Sequence, residues 1–454
     1  MQLIPVIQSL LRSFLEFYEL LGDKVYQFFI DYSRPILNVM HVIFENIFDV
    51  LLYITVGLTA AYAVIAIYVF LKRNEADIEI PVSDEELPSI TVKIPTYNEL
   101  AALNCARRAL NFDYPEEKVQ IIIGDDSNKP EVSKRIDEFA AAHERVEVTR
   151  RGSNEGYKPG NLNHMLKFTD GDYILIFDSD FLPRKDFARP IVAPFIHDDS
   201  VAAVQSRWVT RNLTQNLVSL LGGLIPMYSH HLALPLINRM NGNGFIAGSA
   251  EAIRKKDLLE LGGWTSGALT EDIEYSLRLT NAGRRIVYLE NLHCECEAPF
   301  TMDDLRKQQM RWSYGVIRAG KDYFSKMLLN TRLKISHKMN IFLLLSGYLI
   351  TGLFFLLAAT GLLSLITHEP EVIIWVQMFS ETGLNILLTS GFIIASALTI
   401  TMGDHPKRIP RMILATFTVG IVVILNVSIG ITKAIFNRPM QWFMLSKKGN
   451  EVKL

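Results

Sequence analysis

Two aspartates stand two residues apart directly after an apolar run in the middle of the chain. Residues 173–177 have the length and composition of a buried strand, and Asp178 and Asp180 follow at its end. Ligands bind at the carboxyl ends of strands in open α/β sheets, and alternate residues of an extended segment point the same way. The pair therefore predicts a site for a hard cation such as Mg²⁺, whose other ligands are water and phosphate. A solvated acidic turn is the alternative.

Polar residues at two other strand ends and at one helix start could bind a nucleotide. The strand predicted over 90–95 leads into a Thr-Tyr-Asn-Glu segment, and the strand predicted over 119–124 leads into two aspartates. The helix predicted over 156–168 begins with a lysine beside backbone N–H groups, which suits a phosphate. Together they indicate a pocket for a nucleoside diphosphate, although the lysine alone is more typical of a protein surface. The residues are Thr96, Asn98, Glu99, Asp125, Asp126 and Lys158.

An acidic helix start follows later in the chain. Thr270 is expected to cap a helix that continues over 273–281, with Glu271 and Asp272 in its first turn. By itself this pattern is typical of an ordinary helix N-terminus. A cluster of glycines just before it, Gly248 among them, indicates close approach of the backbone to a ligand.

A third cluster lies on the amphipathic stretch that comes after this helix. Gln308 and Arg311 are three residues apart, so they share one face of a helix. Trp312 beside them offers a flat apolar surface on which a sugar ring could rest. The alternative is a helix that lies on a bilayer with its tryptophan at the interface.

The elements that must position these residues alternate between strand and helix from residue 90 onward. This alternation predicts an α/β domain with a mostly parallel sheet and helices on both faces. The whole chain has 454 residues, which suggests two to three domains, and a net charge of −2. That charge supplies no basic field for nucleic acid. The three cysteines are too few for a disulfide framework and suggest a reducing compartment.

Several apolar stretches are long enough to cross a bilayer core of about 30 Å. The first lies within residues 36–73, and Lys72 and Arg73 at its end favour a cytoplasmic location for that end. The others lie within residues 336–436. The stretches are 48–71, 341–366, 383–402 and 412–436.

Other segments suit a membrane surface rather than a span. Residues 1–35 and 301–333 are amphipathic and interfacial in character, and residues 213–240 suit either core helices or surface helices. The basic tail at 437–454 indicates the cytoplasm, whereas three simple crossings would place it outside. A re-entrant or interfacial segment near 371–382 would reconcile the two, so the topology stays open.

The ordered set of motifs at 95–99, 125–126, 178–180, 270–272 and 308–312 resembles the processive membrane glycosyltransferases of family 2. This family includes cellulose, hyaluronan and chitin synthases and the cellulose-synthase-like mannan synthases. The resemblance covers roughly residues 90–320 and the flanking spans. It implies a GT-A type nucleotide-sugar-binding α/β domain over 90–335, inserted between transmembrane helices of the cell membrane and facing the cytoplasm.

The resemblance also implies a role for each motif residue. Asp272 would be the catalytic base, and Asp178 and Asp180 would hold Mg²⁺ or Mn²⁺. Residues 442–447 resemble a gating segment, but Leu445 stands where the family has threonine. The implied nucleotide- and donor-binding residues are Thr96, Asn98, Glu99, Asp125, Asp126, Lys158, Asp178, Gln308 and Arg311. The implied acceptor-binding residues are Trp312, Glu271 and Gly248.

These roles describe an inverting glycosyltransferase. A single carboxylate base without a nucleophilic partner implies direct displacement, so an α-linked donor sugar gives a β linkage. The resemblance implies a UDP- or GDP-sugar donor, a growing polysaccharide acceptor and export through the bilayer, with a weak preference for glucan and mannan synthases. Transfer of one sugar to a lipid is the alternative, and a transporter or scaffold is a third hypothesis. The donor sugar and the oligomeric state are not specified by the sequence.

Overall fold

The computed structural model describes residues 3–73, 82–368 and 375–450. The chain divides into two compact units, which are Met1–Leu58 with Leu353–Thr389, and Thr59–Gly352 with Ser390–Leu454. The sequence-predicted site residues all belong to the second unit. The predicted segment at 371–382 and the predicted tail at 437–454 lie partly outside the described residues.

The second unit contains a seven-stranded mixed sheet of order β3-β2-β1-β4-β6-β5-β7. Strand β6 runs antiparallel to both of its neighbours, and the other four pairs are parallel. The strands are β1 (Ile90–Thr96), β2 (Val119–Asp125), β3 (Val146–Thr149), β4 (Tyr173–Ile176), β5 (Val201–Thr210), β6 (Glu251–Arg254) and β7 (Arg285–Cys296).

The five strands expected from the sequence are present, and β5 continues five residues beyond its predicted end. The sheet is mostly parallel, as predicted, but β6, which the sequence pattern did not reveal, makes it mixed. This strand has only four residues and carries a charge at each end, so it lacks the apolar run or the alternation that marks a strand.

Helices cover both faces of the sheet. Consecutive residues of β2 enter different cores, because Ile121 and Ile123 pack into one apolar cluster and Ile122 into the cluster on the other side. All three side chains are fully buried. Burial of each such side chain stabilises the fold by roughly 1.5–3 kcal/mol. This double burial explains the continuous apolar run in the sequence.

The helices within and after the α/β region have the following bounds. They are α2 (Ala101–Leu110), α3 (Pro130–Ala141), α4 (Tyr157–Met165), α5 (Ala188–His197), α6 (Leu217–Tyr228), α7 (Leu234–Arg239), α8 (Lys255–Glu260), α9 (Glu271–Asn281), α10 (Met302–Leu329), α11 (Ile335–Thr367), α12 (Trp375–Leu388), α13 (Gly391–Met402), α14 (Ile409–Phe417) and α15 (Val419–Ile435). A π-helical turn, Ser229–Ala233, joins α6 to α7.

Helix α1 (Leu3–Leu71) precedes the α/β region and is continuous through Pro35. The expected interfacial segment at 1–35 and the expected span at 36–73 are therefore parts of one helix in the described residues. Proline removes one backbone hydrogen bond, and the helix continues on both sides of it. Within the first unit, His41 Nδ1 lies 3.0 Å from the Ser364 carbonyl oxygen.

Among the described residues, three helices are long and apolar enough to cross a membrane: Glu16–Leu71, Leu217–Arg239 and Ile335–Thr367. The number rises to five if each of two bent helix pairs counts as one span. The pair α14–α15, which lies wholly in the second unit, bends by 54° within one of the predicted apolar stretches. The apolar stretches expected as spans overlap with Glu16–Leu71, Ile335–Thr367 and the two bent pairs, whereas residues 213–240 were expected to form core or surface helices.

Candidate active site

A pocket opens beside the carboxyl ends of β1 and β4, within the second unit. Twelve of the sequence-predicted site residues line it, and they come from seven separate stretches of chain. Asn98 and Asp125 do not line the pocket. The lining residues from the prediction are Thr96, Glu99, Asp126, Lys158, Asp178, Asp180, Gly248, Glu271, Asp272, Gln308, Arg311 and Trp312.

Each aspartate of the predicted metal pair contacts a lysine. Lys158 Nζ lies 2.7 Å from Asp178 Oδ1, and Lys447 Nζ lies 2.7 Å from Asp180 Oδ1. Among the described residues, no group of three or more His, Cys, Asp or Glu side chains is arranged to hold a metal. Two carboxylates that face a pocket nevertheless fit Mg²⁺ or Mn²⁺, because these ions take oxygen ligands and complete their shell with water and phosphate.

Lys447 comes from the C-terminal segment, residues 442–450, and was not among the predicted site residues. Its Nζ also lies 3.0 Å from Glu99 Oε2 and 2.8 Å from Ser179 Oγ. Burial alone would lower the pKa of Lys447, but the facing carboxylates of Asp180 and Glu99 raise it above its ordinary value. Glu99 thus lies beside the aspartate pair. The likeness of residues 442–447 to a gating segment was the signal that could have identified this lysine.

The C-terminal segment is held against the α/β region by further contacts. Glu297 accepts hydrogen bonds from the backbone N–H groups of Lys448 and Gly449. Its own N–H donates to Asp180 Oδ2 at 3.2 Å. Trp442 packs beside Tyr97 and Tyr157, with ring centroids 6.0 and 6.2 Å away. The segment therefore supplies one wall of the pocket.

The two aspartates at the end of β2 are paired with arginines. Arg151 forms two hydrogen bonds to the carboxylate of Asp126, at 2.9 and 2.6 Å. Burial raises the pKa of Asp126, and Arg151 opposes this effect. Asp125 accepts a hydrogen bond from Arg150 Nε at 2.8 Å. Asp125 does not line the pocket, whereas Asp126 does.

Asn98 also has a local structural contact. Its Oδ1 accepts hydrogen bonds from the backbone N–H groups of Asn128 and Lys129, both at 3.1 Å. It adopts a left-handed backbone conformation, with φ of 56°. Asn98 therefore fixes the loop after β2 against the loop after β1.

Asp272 lies in the first turn of α9 and faces the pocket. Removal from water raises its pKa to about 7, the charge of Glu271 adds to the effect, and Lys158 opposes it. Such a carboxylate can accept a proton near neutral pH. The expected cap by Thr270 is wrong, because its side chain makes no capping hydrogen bond. That side chain faces α10 instead, where a Cβ at Gly315 would collide with Thr270 Cγ2.

Gly248 brings the backbone close to Asp272. It has a φ of 88°, and a Cβ there would lie only 3.0 Å from Asp272 Oδ2. Its carbonyl oxygen accepts a hydrogen bond of 2.5 Å from Lys158 Nζ, which also lies 3.2 Å from Glu271 Oε1. Burial would lower the pKa of Lys158, but Asp178 and Glu271 raise it above its ordinary value.

Helix α10 presents Gln308, Arg311 and Trp312 to the same pocket. Arg311 Nη1 donates to the Leu269 carbonyl oxygen at 3.3 Å, which connects α10 to the loop before α9. Within the described residues, the buried Nε of Arg311 has no hydrogen-bond partner. The guanidinium group therefore retains donor capacity for an anionic ligand in the pocket.

The sheet and the pocket define a GT-A-like α/β domain. Acidic side chains stand at its strand ends, Lys158 of α4 and Arg311 of α10 contribute positive charge, and Asp272 is the buried carboxylate. The family model described as "Glycosyltransferase like family 2" matches residues 88–315, which is half of the chain. The chain belongs to this family.

Two plant proteins illustrate the similarity to known sequences. The chain is 26% identical over 329 residues to "Probable glucomannan 4-beta-mannosyltransferase 9" of Oryza sativa subsp. japonica, which covers 69% of this chain and 62% of that protein. It is 29% identical over 259 residues to "Glucomannan 4-beta-mannosyltransferase 7" of Arabidopsis thaliana, which covers 54% of this chain and 46% of that protein. The chain therefore spans less than two thirds of the length of these relatives.

Among solved structures, the fold is similar to that of the mannosyltransferase PcManGT from Pyrobaculum calidifontis in complex with GDP-Man and Mn²⁺. The TM-score is 0.56, and the alignment covers 79% of this chain and 99% of that chain at 18% identity. This likeness supports the GT-A-like fold.

Proposed function

We propose that this protein is an inverting glycosyltransferase that transfers a sugar from a nucleoside diphosphate to the end of a β-linked polysaccharide. One observation carries the proposal: a single pocket gathers Asp178, Asp180, Lys158, Arg311 and Asp272 from separate elements. These are the groups that a nucleotide-sugar transfer needs, namely cation ligands, cations for a diphosphate and a proton acceptor.

The acceptor hydroxyl loses its proton to Asp272 as its oxygen attacks the anomeric carbon of the donor. The bond from that carbon to the diphosphate oxygen breaks, and the electron pair leaves with the nucleoside diphosphate. Lys158 and Arg311 stabilise the leaving charge. No second carboxylate is required as a nucleophile, so the configuration at the anomeric carbon is inverted.

The metal proposal follows from the same pocket. Asp178 and Asp180 would hold Mg²⁺ or Mn²⁺, which supplies charge stabilisation for the diphosphate when bound. Asp126, Thr96 and Glu99 would line the nucleotide end of the pocket. The Mn²⁺ named for the PcManGT complex supports this assignment.

Among the possible donor sugars, we propose mannose. The plant relatives are named as glucomannan 4-beta-mannosyltransferases, and the structural neighbour is named with GDP-Man. We therefore propose GDP-mannose as the donor to test before UDP-glucose and other UDP-sugars.

The acceptor would occupy the side of the pocket formed by α10 and α6. Trp312 of α10 offers an apolar face for a sugar ring, with Glu271 and Gly248 nearby. Gly222 and Pro226 of α6 line the pocket as well, and α6 lies within one of the helices with the length and hydropathy of a span. We propose that the chain is a multi-pass protein of the cell membrane with its catalytic domain in the cytoplasm, and that the product is exported.

The test measures nucleotide release and product length with the full chain in membranes. With one of the GDP- or UDP-sugars, we expect nucleotide release that depends on Mg²⁺ or Mn²⁺ and a polymer that lengthens with time. Asp272→Asn should lower kcat by roughly 10²–10⁴-fold, because the proton acceptor is lost, while donor binding persists. Accumulation of a single glycolipid would favour transfer to a lipid acceptor. Full turnover by Asp272→Asn would contradict the assigned base.

A further inference from the structure

Glu251 is a buried carboxylate for which the reaction described above has no use. It begins β6, pairs with Ile176 of β4 and Gln205 of β5, and is 1% exposed. It does not line the pocket. Charged side chains are rarely buried to this extent without a specific partner. Its position therefore requires an explanation.

The partner of Glu251 is the backbone of the Gly248 turn, which comprises residues 247–250. The N–H of Gly248 donates to Glu251 Oε2 at 2.7 Å. The neighbouring residues of the turn are held differently, because Ala247 N–H donates to Gln205 Oε1, and Gln205 Nε2 donates to the carbonyl oxygen of Ser249. Gln205 of β5 thus holds the residues on either side of Gly248, and Glu251 accepts the hydrogen bond from the Gly248 N–H.

The backbone of this turn needs such support. Gly248 has a φ of 88°, and the non-glycine residue Ala250 also has a positive φ, of 50°. Glycine has wide conformational freedom, so the peptide groups on either side of Gly248 can rotate if nothing holds them. A hydrogen bond to a rigid strand residue restricts that rotation.

The same turn touches three groups of the proposed reaction. The Gly248 carbonyl oxygen accepts a hydrogen bond from Lys158 Nζ. The Ser249 hydroxyl accepts one from the backbone N–H of Asp178 at 2.9 Å. A Cβ at Gly248 would come within 3.0 Å of Asp272 Oδ2, so the turn also packs against the proposed base. Rotation at Gly248 would therefore disturb the base and its neighbouring cation together.

The charges around Glu251 agree with this arrangement. Burial raises the pKa of Glu251 well above its ordinary value, and Lys158 opposes the effect, whereas Asp272 adds to it. Glu251 thus lies within the electrostatic reach of both Lys158 and Asp272. Ala247 and Gly248 of the turn line the pocket, whereas Glu251 does not.

The geometry points to Glu251 as a positioning residue that holds the Gly248 turn, and through it Asp272 and Lys158, in the arrangement needed for sugar transfer. This inference rests on the proposed function for the role of Asp272. Glu251 performs this role by accepting a hydrogen bond from the Gly248 N–H with its buried side-chain oxygen. A glutamine can supply the same acceptor, whereas an alanine cannot.

The experiment compares Glu251→Ala, Glu251→Gln and Glu260→Ala in the full chain. Glu260 is an exposed glutamate on α8 that pairs with Arg284, so its variant serves as the matched control. We would measure kcat for nucleotide release, the Kd of the donor without acceptor, and amide hydrogen exchange of peptides that span 245–252.

Glu251→Ala should lower kcat by roughly 10–100-fold, the scale expected for a displaced catalytic group. The donor Kd should rise by a smaller factor than kcat falls, because Lys158 loses its contact with the Gly248 carbonyl oxygen but keeps those with Asp178 and Glu271. Exchange at the Gly248 amide should accelerate. Glu251→Gln should recover the slow exchange and most of kcat, and Glu260→Ala should match the wild type.

Normal kcat in Glu251→Ala, equal loss in the Ala and Gln variants, or equal loss of donor affinity and kcat would each overturn the inference. Failure of the wild type to release nucleotide from any donor would refute the proposed function instead. In that event unchanged exchange at Gly248 in Glu251→Ala would still refute the hydrogen bond, so the two failures are distinguishable.

Discussion

At the scale of single residues, the pocket places several carboxylates around one central ammonium group. Lys158 contacts Asp178 and Glu271, and Asp272 lies close enough for its pKa to respond to both Lys158 and Glu271. The excess negative charge favours protonation of one carboxyl group. Asp272 is the group whose pKa rises to about 7, so it can cycle between the two protonation states near neutral pH.

Glu271→Gln tests this charge balance. Because the Glu271 carboxylate raises the pKa of Asp272, its removal should lower that pKa and shift the acidic limb of kcat/KM to lower pH. With a pKa near 7, the ratio of kcat/KM at pH 6 to that at pH 8 is about 0.1 for an enzyme that needs a deprotonated base. The ratio should rise severalfold in the variant, as a pH series of initial rates would measure.

The control is Glu274→Gln, one turn further along α9. Glu274 accepts a hydrogen bond from Tyr323 and pairs with Arg278, and it does not line the pocket. Its variant should keep the acidic limb in place. An unchanged limb in Glu271→Gln would mean that the titrating base is not Asp272.

Sequence patterns were informative wherever a residue type and its spacing reflect local geometry. The aspartate pair after β4 and the Gln-x-x-Arg-Trp motif on α10 reach the pocket because a strand end and a helix face determine where they point. Glu251 was missed, since its contacts depend on tertiary packing that no local pattern encodes. Lys447 was missed although residues 442–447 resemble a gating segment, because the sequence does not show that this segment returns to the aspartate pair. The assignment of a particular role to each site residue stays a prediction.

At the scale of elements, short irregular segments determine the shape of the pocket. The Gly248 turn lies between α7 and β6, where the sequence shows a cluster of glycines but no strand signal. Its positive φ and its contact with Asp272 explain why a glycine occupies this position. The expected helix cap at Thr270 failed for a related reason, because packing against Gly315 prevails over the local capping preference.

Gly248→Ala tests the close approach of the turn to the base. The added Cβ would lie 3.0 Å from Asp272 Oδ2, so the carboxylate or the turn must move. We expect kcat to fall by roughly 10²-fold, the scale of a misplaced catalytic group. Initial rates and the thermal unfolding midpoint would be measured together.

Gly262→Ala is the matched control for backbone strain. Gly262 has a φ of 85°, almost the same as that of Gly248, but a Cβ there meets no described atom within 4 Å. Both variants should lose about 1–2 kcal/mol of stability from the left-handed backbone, whereas only Gly248→Ala should lose turnover. Equal losses of kcat in the two variants would attribute the effect to strain rather than to contact with Asp272.

At the scale of the whole molecule, the second unit joins distant parts of the chain at one point. Lys447 near the C-terminus contacts Glu99 after β1 and Asp180 after β4. Glu297 after β7 holds the next two residues of the C-terminal segment by their backbone N–H groups. The C-terminal segment is therefore held in part by the carboxylates of Glu99 and Asp180, which could also bind a divalent cation.

Lys447→Gln tests whether a cation in the pocket and the C-terminal segment share these charges. The variant leaves Glu99 and Asp180 facing each other without the ammonium group, which should lower the unfolding midpoint by several degrees in metal-free buffer. Because both carboxylates lie beside an open pocket, Mn²⁺ can replace the lost charge. Mn²⁺ should therefore raise the midpoint of the variant more than that of the wild type, as thermal unfolding with and without Mn²⁺ would show.

Lys448→Gln is the neighbouring control, because the Lys448 Nζ lies over the ring of Phe300 and not between carboxylates. Its response to Mn²⁺ should equal that of the wild type. If Mn²⁺ stabilised the wild type and both variants equally, the cation would bind without reference to Lys447. The expected difference would instead mean that Lys447 and a metal ion compete for the same carboxylates. The C-terminal segment would then respond to metal binding, which is the first event of the proposed reaction.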